Sequence, residues 1–110
     1  MVIELKDIEW IEAEDYYAAI HHGGRKQLAR QSLSFLEKLL DTRTFIRSHR
    51  TVIVNVNFVR EVRQNSRGSL VMTLHRGTEL PLARRRWSAV SELIRSRADL
   101  SVKANLRRNI

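Results

Sequence analysis

The chain has 110 residues, which is the length of one domain with a substantial apolar core. Its 43% hydrophobic content is typical of a folded protein. The chain has no cysteine, which excludes disulfides and thiolate zinc sites. No apolar run approaches the roughly 18 residues of a membrane-spanning helix. Twenty basic against twelve acidic residues give a net charge of +8, which makes polyanions, nucleic acid first, the expected partners.

This charge is distributed unevenly along the chain. Residues 1–20 carry one base and six acids, a net −5, whereas the other ninety residues carry a net +13 in which arginine dominates. The planar guanidinium group matches phosphates and guanine edges, so the basic part favours nucleic acid over a surface kept only for solubility. The opening residues lack the basic and apolar blocks of a secretory signal, and we expect a cytoplasmic protein.

The first half of the chain predicts short strands separated by polar turns. In the run that follows residue 7, Ile8 and Trp10 are expected on one face and Ile11 on the other, because strand side chains alternate. Glu14-Asp15 predicts a hairpin tip, followed by a further strand at residues 16–22.

Helical periodicity follows near residues 33–40, where Leu33, Leu36 and Leu40 share a face and Ser32 suits the N-cap position. Further strands are predicted at residues 45–49, 52–56, 58–64, 70–75 and 78–82. An apolar stripe then predicts a C-terminal helix near residues 85–97. The pattern weakens beyond that point, so we expect one domain at residues 1–98 and a basic tail at 99–110 that is frayed or partly disordered.

The titratable residues form no recognisable catalytic motif. His21 and His22 are neighbours on a predicted strand and point to opposite faces, and the nearest carboxylates are expected in the acidic turn at the other end of that strand. His49 as a general base lacks a serine or cysteine nucleophile in a known arrangement; a partly buried histidine whose ring nitrogens bond backbone groups is the better interpretation. The four glycines form no phosphate-binding fingerprint. We expect no enzymatic activity, no metal and no cofactor.

Two arginine clusters carry the binding hypothesis. Arg43, Arg47 and Arg50 surround a predicted turn at residues 49–51, and residues 84–86 are three arginines placed where the last strand passes into the C-terminal helix. Cations at a helix N-terminus oppose the macrodipole, but they can share an arriving phosphate with the helix amides. A charged helix face directed to solvent is the alternative.

Several short motifs, in a set order and spacing, are spread over roughly residues 3–95. They are DIEWIEAE at 7–14 followed by Tyr17, LSFLE at 33–37, FIRSHRT at 45–51 with IVN at 53–55, and Gly77 with LPLAR at 80–84. The stretch F-x-R-x-H-R-[ST]-x-x-[IV]-N is the most specific. In these residues the chain resembles the LytTR family, the DNA-binding output domain of many bacterial transcription regulators.

The resemblance implies a mainly β fold, an elongated arrangement of small antiparallel sheets in which loops, and not a recognition helix, enter successive major grooves of paired direct repeats in double-stranded DNA. When the DNA contacts of the family are transferred to the matching positions of this sequence, they lie at the hairpin around Asp15-Tyr16, at the turn at Arg50, and at Arg84-Arg85. The residues expected at the DNA are Arg50, Arg85, Arg84, Tyr16, Arg47, Thr51, Arg86 and His49. Arg50 and Arg85 are the candidates for reading guanine edges or clamping phosphates, with Arg47 and Thr51 on phosphates beside Arg50.

The sequence departs from the family pattern at two places. Ala83 stands where the family usually has serine, which removes a hydroxyl contact. The first loop carries Glu14, Asp15 and Tyr16 without a base, so its acids repel phosphate; alternatively they accept from a cytosine amino group and shift the specificity.

The partner implied by the resemblance is double-stranded DNA. Two copies of the domain would bind the repeats, an arrangement compatible with a homodimer. No membrane contact by this domain is expected. The resemblance also implies that a receiver, sensor or membrane domain precedes it in the full-length protein, as in response regulators of two-component systems. Two other classes stay open: an RNA-binding or ribosome-associated basic module, and a protein-interaction domain that uses the acidic N-terminal edge. Single-stranded RNA readers usually offer exposed aromatic residues on a sheet, and only Tyr16-Tyr17 lies outside the expected core.

Overall fold

A computed structural model describes residues 2–97 and the strand Lys103–Asn105. Its strands are β1 Ile8–Glu14, β2 Tyr17–His22, β3 Arg25–Ala29, β4 Phe45–His49, β5 Val52–Asn55, β6 Val59–Gln64, β7 Leu70–Leu74, β8 Glu79–Leu82 and β9 Lys103–Asn105. The helices are α1 Leu33–Leu39 and α2 Trp87–Arg95. Apart from β9, the expected tail at 99–110 lies outside the described residues.

The strands form two sheets within an elongated molecule of 43 × 29 × 24 Å. The first sheet has the order β3-β2-β1-β5-β4 and is antiparallel, and the second has the order β8-β7-β6-β9, in which only the β6–β9 pair is parallel. The predicted mainly β fold of small sheets with two short helices is therefore confirmed.

Strand β5 lies between the two hydrophobic cores. Ile53 packs with the residues of the first core, which is formed by Ile8, Ile11, Ala18, Leu33, Leu40 and Phe45. Val52 and Val54 point the other way, into a second core built from β6, β7, β8 and Val90 of α2. A strand that is buried on both faces needs a continuous apolar run, which explains the sequence VIV at this position.

On β1, Trp10 and Ile11 point to opposite faces as predicted, but the face predicted for Ile8 is wrong. The pairing of β1 with β2 shifts register between Ile8 and Trp10, which is the signature of a β-bulge. The extra residue puts Ile8 and Ile11 together in the first core, whereas Trp10 packs against the second core. Alternation alone cannot anticipate this arrangement, because one inserted residue exchanges the two faces of a strand.

The predicted helices are found with small shifts at their ends. Ser32 caps α1 as expected, since its hydroxyl accepts a hydrogen bond of 3.0 Å from the Phe35 amide. Residues Arg84–Arg86 form a 3-10 turn, and α2 begins only at Trp87. Neither α1 nor α2 has the length and apolarity needed to cross a membrane.

Candidate nucleic-acid interface

The hairpin between β1 and β2 and the turn between β4 and β5 line one groove of about 450 Å³. Asp15 and Tyr16 form the hairpin tip, where Asp15 has a positive φ of 55°. The Ala13 amide donates to the Thr51 carbonyl at 2.9 Å, which fixes the hairpin arm beside the β4–β5 turn. Two of the three expected DNA-contacting regions therefore share one groove.

A second groove, of about 540 Å³, lies between the β4–β5 turn and the segment that leads into Arg84–Arg86. Its walls include His49 and Arg84. Buried Ser48 makes this connection, because its carbonyl accepts from the Ala83 amide at 2.8 Å and its hydroxyl donates to the Pro81 carbonyl at 3.3 Å. Strand β4 thus holds the end of β8, and with it the Arg84–Arg86 turn. We call residues 15–16, 49–51 and 84–86 together the three-loop face.

Arg47 is a structural part of this face. Its side chain is 15% exposed, and Nη1 donates to the Glu37 carboxylate at 2.8 Å. Nε and Nη2 donate to the carbonyls of His49 and Arg50 at 3.2 and 2.6 Å. All three of its nitrogens are used inside the domain, so Arg47 fixes the turn that presents Arg50.

The ring of His49 is oriented by Thr51. Nδ1 accepts a hydrogen bond of 3.2 Å from the Thr51 amide and lies 2.9 Å from the Thr51 hydroxyl. A ring nitrogen that accepts from an amide carries no proton, so the neutral ring is protonated at Nε2. His49 therefore has one nitrogen bound to its neighbour, as the sequence suggests, and keeps Nε2–H for a ligand.

The arginines of the face have few internal partners. Arg50, Arg84 and Arg85 are exposed and Arg86 is half-buried. Within residues 2–97, none of the four lies within 4.0 Å of an acidic side chain. Arg84 donates to the Gly68 carbonyl, which ties it to the β6–β7 turn. These guanidinium groups are available for an anionic partner.

The first loop is less repulsive to phosphate than its sequence suggests. The Glu14 carboxylate lies 3.1 Å from Lys26 Nζ on β3. Asp15 is exposed, and Tyr16 beside it is 87% exposed at the tip. The loop thus presents one carboxylate and one phenol.

Sequence reasoning missed two residues that shape the face, Glu37 and Ser48. Glu37 lies on α1, ten residues before the arginine it binds, and nothing in the local pattern pairs the two. Ser48 follows Ile46 by two residues, so on a regular strand the two side chains share a face, which is a signal for an inward position of Ser48. Asn55 is a buried structural residue: it donates to the Ile8 carbonyl at 2.8 Å and accepts from the Asn57 amide at 2.9 Å.

Comparison with known proteins agrees with this architecture. A family model described as LytTr DNA-binding domain matches residues 1–95. The chain is 32% identical over 95 residues to the heme-containing CO-sensing transcriptional regulator RcoM 2 of Paraburkholderia xenovorans (strain LB400), covering 86% of this chain and 36% of that protein. It is 24% identical over 84 residues to the sensory transduction protein LytT of Bacillus subtilis (strain 168), covering 76% of this chain and 35% of that protein.

A solved structure shows the same fold. It is the LytTr DNA-binding domain of a putative methyl-accepting/DNA response regulator from Bacillus cereus, with a TM-score of 0.77, 23% identity and coverage of 86% of both chains. The chain spans just over a third of the length of the curated relatives named above. With the family match over residues 1–95, the chain belongs to the LytTR family of DNA-binding domains.

Proposed function

We propose that this domain binds double-stranded DNA sequence-specifically as the output domain of a bacterial transcription regulator. The observation that carries the proposal is the three-loop face, on which two grooves flank the turn that presents Arg50. Loops held by strands on both sides are pre-organised, so binding costs little ordering entropy.

The dimensions of the molecule support contact with successive major grooves. One helical turn of B-DNA separates equivalent groove positions by about 34–36 Å. The long axis of the whole domain is 43 Å, which is somewhat longer than that spacing. We propose that the Asp15-Tyr16 tip and Arg85 enter neighbouring major grooves, with Arg50 between them.

The residues divide into readers, phosphate contacts and positioning groups. Arg50 and Arg85, both exposed, are proposed to read guanine edges or clamp phosphates. Thr51, His49, Arg84 and Arg86 are proposed to bind phosphates. Arg47 is proposed to act through the turn, since three of its five N–H donors are already used by Glu37 and two carbonyls.

The full-length protein is proposed to carry a sensory or receiver domain as well. The named relatives are a CO-sensing transcriptional regulator and a sensory transduction protein, and each is almost three times as long as the matched region. We propose that an input domain controls binding of two copies of this domain to paired direct repeats, in the cytoplasm.

Fluorescence anisotropy with labelled nucleic acids tests the class of partner. The domain is titrated against a duplex of mixed sequence and against single-stranded RNA, at salt concentrations from about 50 to 200 mM. We expect duplex binding that weakens steeply as salt rises, because arginines release counterions from the phosphates. Tighter binding to the RNA than to any duplex would favour the RNA-binding alternative.

A further inference from the structure

We propose that the cavity between the β2–β3 turn and the β7–β8 turn binds a small oxyanion, a carboxylate or a phosphate group. The cavity has a volume of about 250 Å³, and its walls include Trp10, His22, Arg25 and Arg76. This site is separate from the three-loop face. Ligand pockets for drug-sized molecules measure about 300–1,000 Å³, so this volume suits a small ligand.

The cavity lies at the end of the first sheet that is remote from the DNA-contacting loops. His22 ends β2, whereas Tyr17 begins it next to the hairpin tip. Five residues of strand separate these two positions, a distance of about 17 Å at 3.3 Å per residue. An anion bound here therefore lies about 17 Å from the hairpin tip of the three-loop face.

Two buried polar atoms lack partners at this site. Trp10 Nε1 and His22 Nε2 are inaccessible to solvent and have no hydrogen-bond partner among residues 2–97. A buried indole N–H without an acceptor costs about 1–3 kcal/mol, so such groups usually have a partner that satisfies them. Both residues line the same cavity, so a ligand bound there has these two groups at its wall.

The charges around the cavity select an anion. Arg25 is exposed at the rim, and no acidic side chain of residues 2–97 lies within 4.0 Å of it. The one carboxylate in the wall, Glu9, is 3% exposed and is already compensated, because its Oε2 accepts from Arg76 Nε at 2.9 Å and from the Gly23 amide at 3.2 Å. An indole N–H and guanidinium groups are donors, and donors recognise oxyanions.

A metal ion fits the same walls poorly. His21 also lines the cavity, but its Nε2 is 3.3 Å from Glu12, and its ring stacks on Trp10 with the centroids 3.8 Å apart. Glu12, not the acidic turn, is therefore the carboxylate next to His21, contrary to the sequence expectation. No three side chains of residues 2–97 that could act as ligands converge on a metal position.

The indole N–H of Trp10 is a direct reporter for this ligand. We would record ¹H–¹⁵N correlation spectra during titration with inorganic phosphate, and separately with acetate, at constant ionic strength. The protein has two tryptophans, so Trp87 on α2 is the internal control, and Trp87→Phe assigns the two resonances. We expect a saturable shift of the Trp10 resonance, with the more effective probe identifying the kind of oxyanion.

Three variants distinguish binding in the cavity from general attraction to a basic protein. Arg25→Gln and His22→Phe should each weaken the affinity about tenfold, as for one hydrogen bond to a charged group. Arg67→Gln removes an exposed arginine from the β6–β7 turn and should leave the affinity unchanged. Equal affinities in all three variants, or no saturable Trp10 shift with either probe, would overturn the proposal. Neither result bears on DNA binding, which is measured separately on the three-loop face.

Discussion

At the scale of single residues, the roles of the arginines follow from their partners. Arg47 and Arg50 are three positions apart in one motif, and sequence alone offers both as DNA contacts. The structure gives Arg47 a carboxylate and two carbonyls, whereas Arg50 is exposed and lies within 4.0 Å of no acid of residues 2–97. Only the second arrangement leaves a guanidinium group free for a partner.

Replacement of Arg50 tests its role as a reader of bases. Arg50→Ala should cost about 1–3 kcal/mol on a cognate duplex and much less on random DNA, because a base contact is lost. The measurement is a pair of binding isotherms at one salt concentration. Arg60→Ala, which removes an exposed arginine of β6, is the matched control. Equal losses on both duplexes would show instead that Arg50 clamps a phosphate.

Arg86 is predicted to contact a phosphate. Arg86→Ala should weaken binding to all sequences and reduce the slope of log affinity against log salt by about one, the change expected when one phosphate contact is lost. The salt dependence of the variant and of the unmodified domain is compared on one duplex. If the slope stays the same, Arg86 lies outside the interface.

At the scale of elements, α1 supports the β4–β5 turn through the ion pair between Glu37 and Arg47. Arg47→Ala should lower stability by about 1.5–3 kcal/mol, the range for hydrogen bonds to charged groups, and should weaken DNA binding by loosening the turn. Glu37→Gln removes only the charge, and its partner keeps both carbonyl bonds, so a smaller loss is expected.

Urea unfolding and DNA binding are measured together for these two variants. A positioning role predicts faster hydrogen exchange at the Thr51 amide in Arg47→Ala. If binding falls while this exchange rate is unchanged, then Arg47 itself touches the DNA.

Ser48 joins β4 to the segment that leads into the Arg84–Arg86 turn. Ser48→Ala removes the hydrogen bond to the Pro81 carbonyl and should cost about 1 kcal/mol. Ser48→Val adds volume at a residue that is 0% exposed and should cost about 1–3 kcal/mol more. Thermal unfolding of both variants measures these losses. A Ser48→Val variant as stable as Ser48→Ala would mean that the site has spare room.

At the scale of the whole molecule, the sequence predicts the elements better than their contacts. The run at Phe45–His49 is found at its predicted bounds, and the strand predicted at 70–75 ends one residue earlier, at Leu74, because apolar alternation and flanking turns define both runs locally. The bulge after Ile8 has no comparable local signal, so alternation places Ile8 on the face of Trp10 instead of the face of Ile11.

For the candidate site, too, the sequence predicts the elements better than the contacts between them. The loops that the family resemblance indicates each share a groove with the β4–β5 turn, yet the pairing of Glu37 with Arg47 depends on how α1 packs against the first sheet. The cavity lined by Trp10 and His22 likewise includes Arg76 and Thr78 of the β7–β8 turn, which are distant in sequence. Contacts between segments distant in sequence are decided by tertiary packing, which a single sequence does not display.

The structure also shows where on the molecule the unevenly distributed charges lie. The acids of the first twenty residues are partly neutralised within the fold, since Glu9 pairs with Arg76 and Glu14 with Lys26. The arginines of the three-loop face lack such partners within residues 2–97. Basic charge is therefore left where DNA is proposed to bind, and a mixed edge lies away from it.

Selection of bound sequences from a pool of random duplexes at physiological salt tests the central claim most directly. We predict recovery of a pair of direct repeats, with guanines at the positions whose enrichment disappears when selection is repeated with Arg50→Ala. Recovery of no enriched duplex, together with tight binding to single-stranded RNA, would contradict the account.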